Sequence, residues 1–325
     1  DLSDNKQPKY ISITIPSSAL TMPSGSAHTY ELLEWDANSD GIVMRHRYGG
    51  GEEYIRISPT RSSDVVNITT KFGLNFSDVQ FSSSDILYGI ESGNLRRIDV
   101  GTGSLSEPLM KNIVTFRLYG EKDVIAVRHK DAAYSVELLV DNKTNTIASY
   151  DDTIAVHIAL TKYFGDRYAV ISRGASFELV KNPEKSAKDG MEKVVTMTYP
   201  VDIQWLDVSK TGRHVIAGNG SLVVTYDIEL ARRSDSVLPG VAAGATQPVA
   251  WLDDFLLVSA TDNKLRLCDF DGDNQQIVVD ALPGAPAVLS GDNTLLYSFA
   301  KNSAGTVSLQ VSLTILSVEK TLEEV

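Results

Sequence analysis

An all-β propeller of seven four-stranded blades is the fold that this 325-residue sequence predicts, and three observations predict it. Short runs rich in Val, Ile, Tyr and Thr recur throughout, among them "ISITI", "VIAVRH", "SLVVTYDI" and "VSLQVSLTI", each bounded by Gly, Asn, Asp or Pro. Such runs read as antiparallel strands joined by tight turns. Helical periodicity is nearly absent. The chain also repeats itself at the spacing of a propeller blade.

The repeat is carried by one slot. All three tryptophans occupy it, Trp35 in "LEWDANSDG", Trp205 in "IQWLDVSKTG" and Trp251 in "VAWLDDF". Phe81 in "VQFSSSD", Phe116 in "VTFRLYGE", Leu160 in "HIALTKYFG" and Leu289 in "AVLSGDN" fill it elsewhere, at successive separations of 46, 35, 44, 45, 46 and 38 residues. A second echo places Leu238, Pro239 and Gly240 44 residues before Leu282, Pro283 and Gly284. The last unit has three obvious strands, while "KYISITI" stands alone ahead of the first. Residues 9–15 are therefore expected to supply the missing outer strand and close the last blade, which removes exposed sheet edges. The expected organisation is a linker at 1–8, one propeller over 9–318 and a tail at 319–325. The competing reading is an open pair of β-sandwich sheets whose periodicity is accidental.

Composition narrows the function classes. A hydrophobic content of 42% with 22% charged residues is that of a chain able to bury a core. A net charge of −12 argues against general affinity for nucleic acid or anionic membrane, since phosphates attract Lys and Arg. One cysteine, Cys268, excludes an internal disulfide and a thiolate-rich zinc site. No run of 18 apolar residues is present to span a bilayer as a helix. The opening "DLSDNKQPKY" has the polar, Pro-containing look of a linker, which is expected of a segment excised from a longer protein.

"VAWLDDFLLVSATDNKLRLCDFDGDNQQIV" runs from an aromatic turn through an apolar strand to an acidic hairpin; "VQFSSSDILYGIESGNLRRIDVGTG" follows the same scheme, and "AVLSGDNTLLYSF" its first half. These units resemble the repeats of TolB-like propellers, a bacterial WD-repeat-like group. The resemblance implies an extracytoplasmic module that binds proteins or envelope components, tethered to the membrane by a segment outside this chain. A monomer without cofactor is expected.

Two acidic stretches invite a calcium reading. "CDFDGDN" alternates Asp269, Asp271 and Asp273, but counted as a calcium loop from Asp269 it has no Gly at position 6, with Ile277 at position 9 and Asp280 at position 12, so it reads as an Asp-Gly hairpin. "DANSDG" starts as such a loop does, making Asp36, Asn38 and Asp40 the metal candidates, although Met44 and Arg47 stand where later ligands belong. Catalytic constellations are missing: the five histidines show no HExxH spacing, and no Ser sits in a GxSxG elbow. The function expected is a non-enzymatic binding or scaffold module, with a propeller-fold carbohydrate hydrolase or lyase using axial carboxylates as the alternative. Loops between second and third strands carry His46, Arg47, Tyr48, Arg128, His129, Lys130, Arg173 and Lys301, a cationic bias in an acidic chain. These are the candidate ligand-binding residues, for an anionic group on a protein or cell-wall partner.

Overall fold

The second strand of each unit shows how the chain folds. In "DVIAVRHK" of Asp123–Lys130, Ile125 and Val127 pack with Val156, Ile158 and Leu160 of the next sheet, while Val124 and Ala126 pack with Tyr88, Ile90 and Leu95 of the preceding one. Alternate side chains point to opposite faces of a strand. A strand buried on both faces therefore reads as a nearly unbroken apolar run, and the sheets must stack radially to cover it. The computed structural model that shows this describes residues 15–35, 41–58, 64–83, 85–186, 188–238, 240–241, 249–283, 287–289, 295–301 and 307–313.

Six four-stranded blades follow one another, their strands adjacent in sequence order and antiparallel. Blade I comprises His28–Trp35, Ile42–Tyr48, Gly51–Ile57 and Val65–Asn67. Blade II comprises Phe76–Ser83, Ile86–Glu91, Asn94–Asp99 and Ser104–Leu105, with Met110–Lys111 also paired to its third strand. Blade III is Ile113–Tyr119, Asp123–Lys130, Ala133–Val140 and Lys143–Tyr150. Blade IV is Val156–Tyr163, Asp166–Arg173, Ser176–Lys181 and Glu192–Thr198. Blade V is Trp205–Val208, His214–Asn219, Leu222–Asp227 and Arg232–Val237, and blade VI is Ala250–Trp251, Leu256–Thr261, Lys264–Asp269 and Gln276–Asp280.

The expectation of seven four-stranded blades is thereby corrected to six. The last unit supplies only Val288–Leu289, Leu295–Lys301 and Val307–Leu313, a three-stranded sheet whose first strand is two residues long. No fourth strand pairs with it among the described residues, and the closing strand expected at 9–15 falls, up to residue 14, outside them. Ile15 itself packs with Leu20 and Val65 against Ile42, Met44, Ile55 and Ile57 of blade I. The expected linker and tail also lie outside the described residues.

Every slot residue of the repeat falls on the first strand of its sheet, from Trp35 to Leu289. In blade V the slot shapes its neighbour: Trp205 pairs across the ladder with Gly218, where a Cβ would lie 2.6 Å from the indole. Only glycine lets the ring lie flat on that strand. Polar locks join the same blades that share apolar cores. Arg56, 1% exposed, donates to Asp64 at 2.6 Å and across to Asp85 at 2.8 Å, tying blade I to blade II. Arg167 reaches Asp123 and Glu184 between blades III and IV.

Candidate functional site

From blade I to blade V the first strands of neighbouring blades contact one another, so they form the axial wall there. An inner strand has one unpaired edge, and its backbone needs partners. On blade III that partner is Gln80 from the first strand of blade II: its Nε2 donates to Phe116 O at 2.9 Å, and its Oε1 accepts from Leu118 N at 3.3 Å. Beside this seal the wall opens into two cavities. One, of about 260 Å³, is lined by Thr115, Arg117, Val156, His157, Ile158, Gln204, Trp205 and Leu206. The other, of about 270 Å³, takes its lining from the later residues of the same strands, including Tyr119, Thr161 and Val208, and from the turn at Ser209 to Gly212. Arg117, Ile158 and Leu206 line both, which makes the two cavities successive chambers along inner strands that run in the same sense.

Arg117 is the one residue of fixed charge lining the first chamber. Its side chain is 54% exposed, Nη1 donates to Phe116 O, and the nearest carboxylate oxygen, Asp78 Oδ2, stands 3.9 Å away, beyond hydrogen-bond reach. Burial pushes the Asp78 carboxyl up, an effect that Arg117 and a hydrogen bond from Gln80 partly offset. Desolvation depresses His157 below its ordinary 6.5, and the charge of Arg117 adds to the depression. The imidazole is thus held neutral beside a cation. The Trp205 indole is turned away, packed into the core between blades V and VI. Thr115 and Gln204 complete a lining rich in donors and without a carboxylate.

The sequence-selected rim residues all sit at the ends of second strands. Register places Arg128 opposite Ile113 and Arg173 opposite Val156, so both lie at the first-chamber end of blades III and IV. Each described cation is already engaged by groups of its own blade or of the one before it. Arg47 meets Glu31 and Glu52, Arg128 meets Glu137 and Lys111 O, and Arg173 meets Asp152 and the face of Tyr150 at 4.8 Å. His129 stacks on Tyr134, and the exposed Lys130 lies near Asp131. Lys301 ends the second strand of the last sheet. His46 is fully buried: Nδ1 donates to Glu53 Oε1, Nε2 shares a 2.9 Å hydrogen bond with His28 Nδ1, Tyr30 stacks on the ring at 4.7 Å, and Tyr48 is tilted against it. The structure brings His46 and Tyr48 together; among the described residues it joins none of the cations of different blades directly.

"CDFDGDN" forms the hairpin between the third and fourth strands of blade VI. Gly272 N bonds Asp269 O, Asp273 N bonds Asp271 Oδ1, and Asn274 donates to Asp269 Oδ2, so its carboxylates serve the turn. The metal candidates Asp36, Asn38 and Asp40 lie outside the described residues. Among the described residues, no three His, Cys, Asp or Glu side chains gather around a point that a cation would occupy. Cys268 is buried, and burial first, then Asp269 and Asp271, pushes its thiol up to about 11, so it is no thiolate nucleophile.

The axial residues escaped selection from sequence, yet a signal exists. Gln80, Thr115 and Gln204 immediately precede their slot residues, and Arg117 and Leu206 immediately follow theirs. Aligning the slots and asking which flanking residues are polar would have found the chamber.

No protein-family model matches the chain, and no curated protein matches its sequence. Solved structures do match in shape. An oligogalacturonate lyase in complex with manganese aligns at a TM-score of 0.54, covering 89% of this chain and 98% of that one at 11% identity. A chain of the mitotic checkpoint complex aligns at 0.53 over 95% of this chain and 97% of its own, at 12% identity. The WD40 repeats of RRP9 align at 0.53 over 83% and 89%, also at 12% identity. These likenesses establish the β-propeller, WD-repeat-like fold.

Proposed function

We propose that this protein is a non-enzymatic binding module, a TolB-like propeller of a larger bacterial envelope protein held outside the cytoplasm, that recognises a protein or cell-wall component at one end of its axial channel. The observation that carries this reading is the lining of the first chamber, where Thr115, Arg117, His157 and Gln204 offer donors and a single fixed charge. Glycoside hydrolysis asks for two carboxyl groups facing across the reacting bond, and this lining provides neither. Recognition asks for a few converging polar groups on a rigid wall, which it does provide. The acidic surface keeps the module soluble while the rim cations Arg128 and Arg173 flank the entrance.

One observation favours a lyase instead. A neutral His157 beside Arg117 is an arrangement that could take the α-proton of a uronate whose carboxylate Arg117 neutralises. Incubation of the chain with polygalacturonate, with and without manganese, separates the two. The binding reading expects no unsaturated sugar ends. Their appearance, and their loss in His157→Gln, would replace it with the lyase.

A further inference from the structure

We infer that the first axial chamber receives the carboxylate of an acidic peptide segment, seated on Arg117 and admitted between blades III, IV and V. This rests on the binding reading and names its ligand. The donors come first. Arg117 has one N–H spent on a backbone carbonyl, and the guanidinium offers five. Among the described residues its only carboxylate neighbour in an ion pair is too distant to bond, and half of the side chain faces open space. An arriving carboxylate gains a forked, charge-assisted pair at little conformational cost. Gln204 and Thr115 add neutral donors to the same wall. With Arg117 as the fixed charge and no acid in the lining, the chamber is complementary to an anion although the chain as a whole is not.

Size and surroundings choose the source of that anion. A volume of about 260 Å³ falls short of a pocket for a whole drug-sized ligand, about 300–1,000 Å³, so it suits one side chain or chain end of something larger. The aliphatic part of its wall is Val156, Ile158 and Leu206, with no exposed aromatic face on which a sugar ring would stack. At the same end Val114, in a bulge of the first strand of blade III, is 52% exposed, and Ile154, on the approach to blade IV, is 45% exposed. Gly174, at the second turn of blade IV, brings Ile154 and Asp202 together. Aliphatic side chains beside a cationic hole match a peptide carrying acidic and apolar residues.

The test compares acetylated tetraglutamate with tetraglutamine and tetragalacturonate by calorimetry on the full chain. Tetraglutamate is expected to bind about tenfold or more tightly than its neutral isostere. Arg117→Gln should erase that preference, Arg117→Lys should keep part of it, and Asp78→Asn should strengthen binding by removing the competing carboxylate. Equal affinity for the two peptides, a preference that survives Arg117→Gln, or tighter binding of tetragalacturonate would overturn the inference. A loss of stability in Arg117→Gln leaves Arg117→Lys and Asp78→Asn to decide. Turnover of polygalacturonate defeats the non-enzymatic reading through a different readout, product rather than affinity.

Discussion

His46 and Glu53 stand opposite one another on neighbouring strands of blade I, joined by a 2.8 Å hydrogen bond from Nδ1 to Oε1, and neither side chain is more than 1% exposed. Glu53 accepts three further bonds, from Thr21 N, Thr21 Oγ1 and Asn67 Nδ2. Burial alone would raise this carboxyl, but the donors outweigh it and hold it below its ordinary 4.5. Removing the acceptor strands four donors, so Glu53→Ala is expected to cost about 3–5 kcal/mol in urea unfolding at neutral pH. Since the folded carboxyl is the stronger acid, its contribution is complete above the ordinary carboxylate range and fades as pH falls through its folded value. The penalty of Glu53→Ala should therefore shrink in acid; a constant penalty would disprove the assignment.

A second histidine acts at higher pH, and stability again falls on acidification. His214 is fully buried, stacked at 4.3 Å on Phe270 and flanked by Phe255 and Trp251. Its Nε2 is 3.4 Å from Asp227, outside the geometry of a hydrogen bond, and Asp227 is bound chiefly by Arg213. Desolvation, aided by Arg213 and opposed by Asp227, depresses His214 below 6.5. The unfolded chain then binds more protons, and stability falls as pH drops through the range just below the ordinary value. His214→Phe, which suits the aromatic surroundings, should flatten that part of the stability curve. Melting temperatures across pH 7.5 to about 5.5 test it, and an unchanged slope would refute it.

Arg56 makes an asymmetric prediction. It is buried, whereas its partners Asp64 and Asp85 are 33% and 48% exposed. Losing the arginine leaves carboxylates that water can solvate; losing both carboxylates leaves a guanidinium in the core. Arg56→Met, close in volume, should cost less than the double change Asp64→Asn with Asp85→Asn, which is expected at about 3–5 kcal/mol. Chemical denaturation of the two proteins gives the order directly, and the reverse order would contradict this account.

Strand positions were legible because burial on two faces writes itself as runs such as "VIAV" and because the slot recurs along the innermost strands. The Asp-Gly turn of blade VI was legible for a local reason, the backbone demands of a tight hairpin. The chamber was not. Thr115, Arg117 and Gln204 alternate with buried residues, the same pattern as a strand with a solvated face, and only the meeting of three blades turns that face into a cavity. His46 read as a rim residue because its position ends a strand. Its burial goes with Glu53, which Thr21 and Asn67 bond from 32 and 14 residues away, separations that no local pattern joins. The blade count failed at the last unit, where the described residues form three strands, one of them two residues long.

The amide of Gln80 occupies Phe116 O and Leu118 N much as a neighbouring strand would. An extended guest laid along blade III at this point would have to evict a side chain already satisfied at both ends. The wall there gives no purchase to main-chain pairing, so it discriminates by what a visitor carries at its tip and is indifferent to how the visitor's backbone is written. Such a wall also resists capture by another copy's stray strand, because both groups that a strand would pair with at this point are already taken.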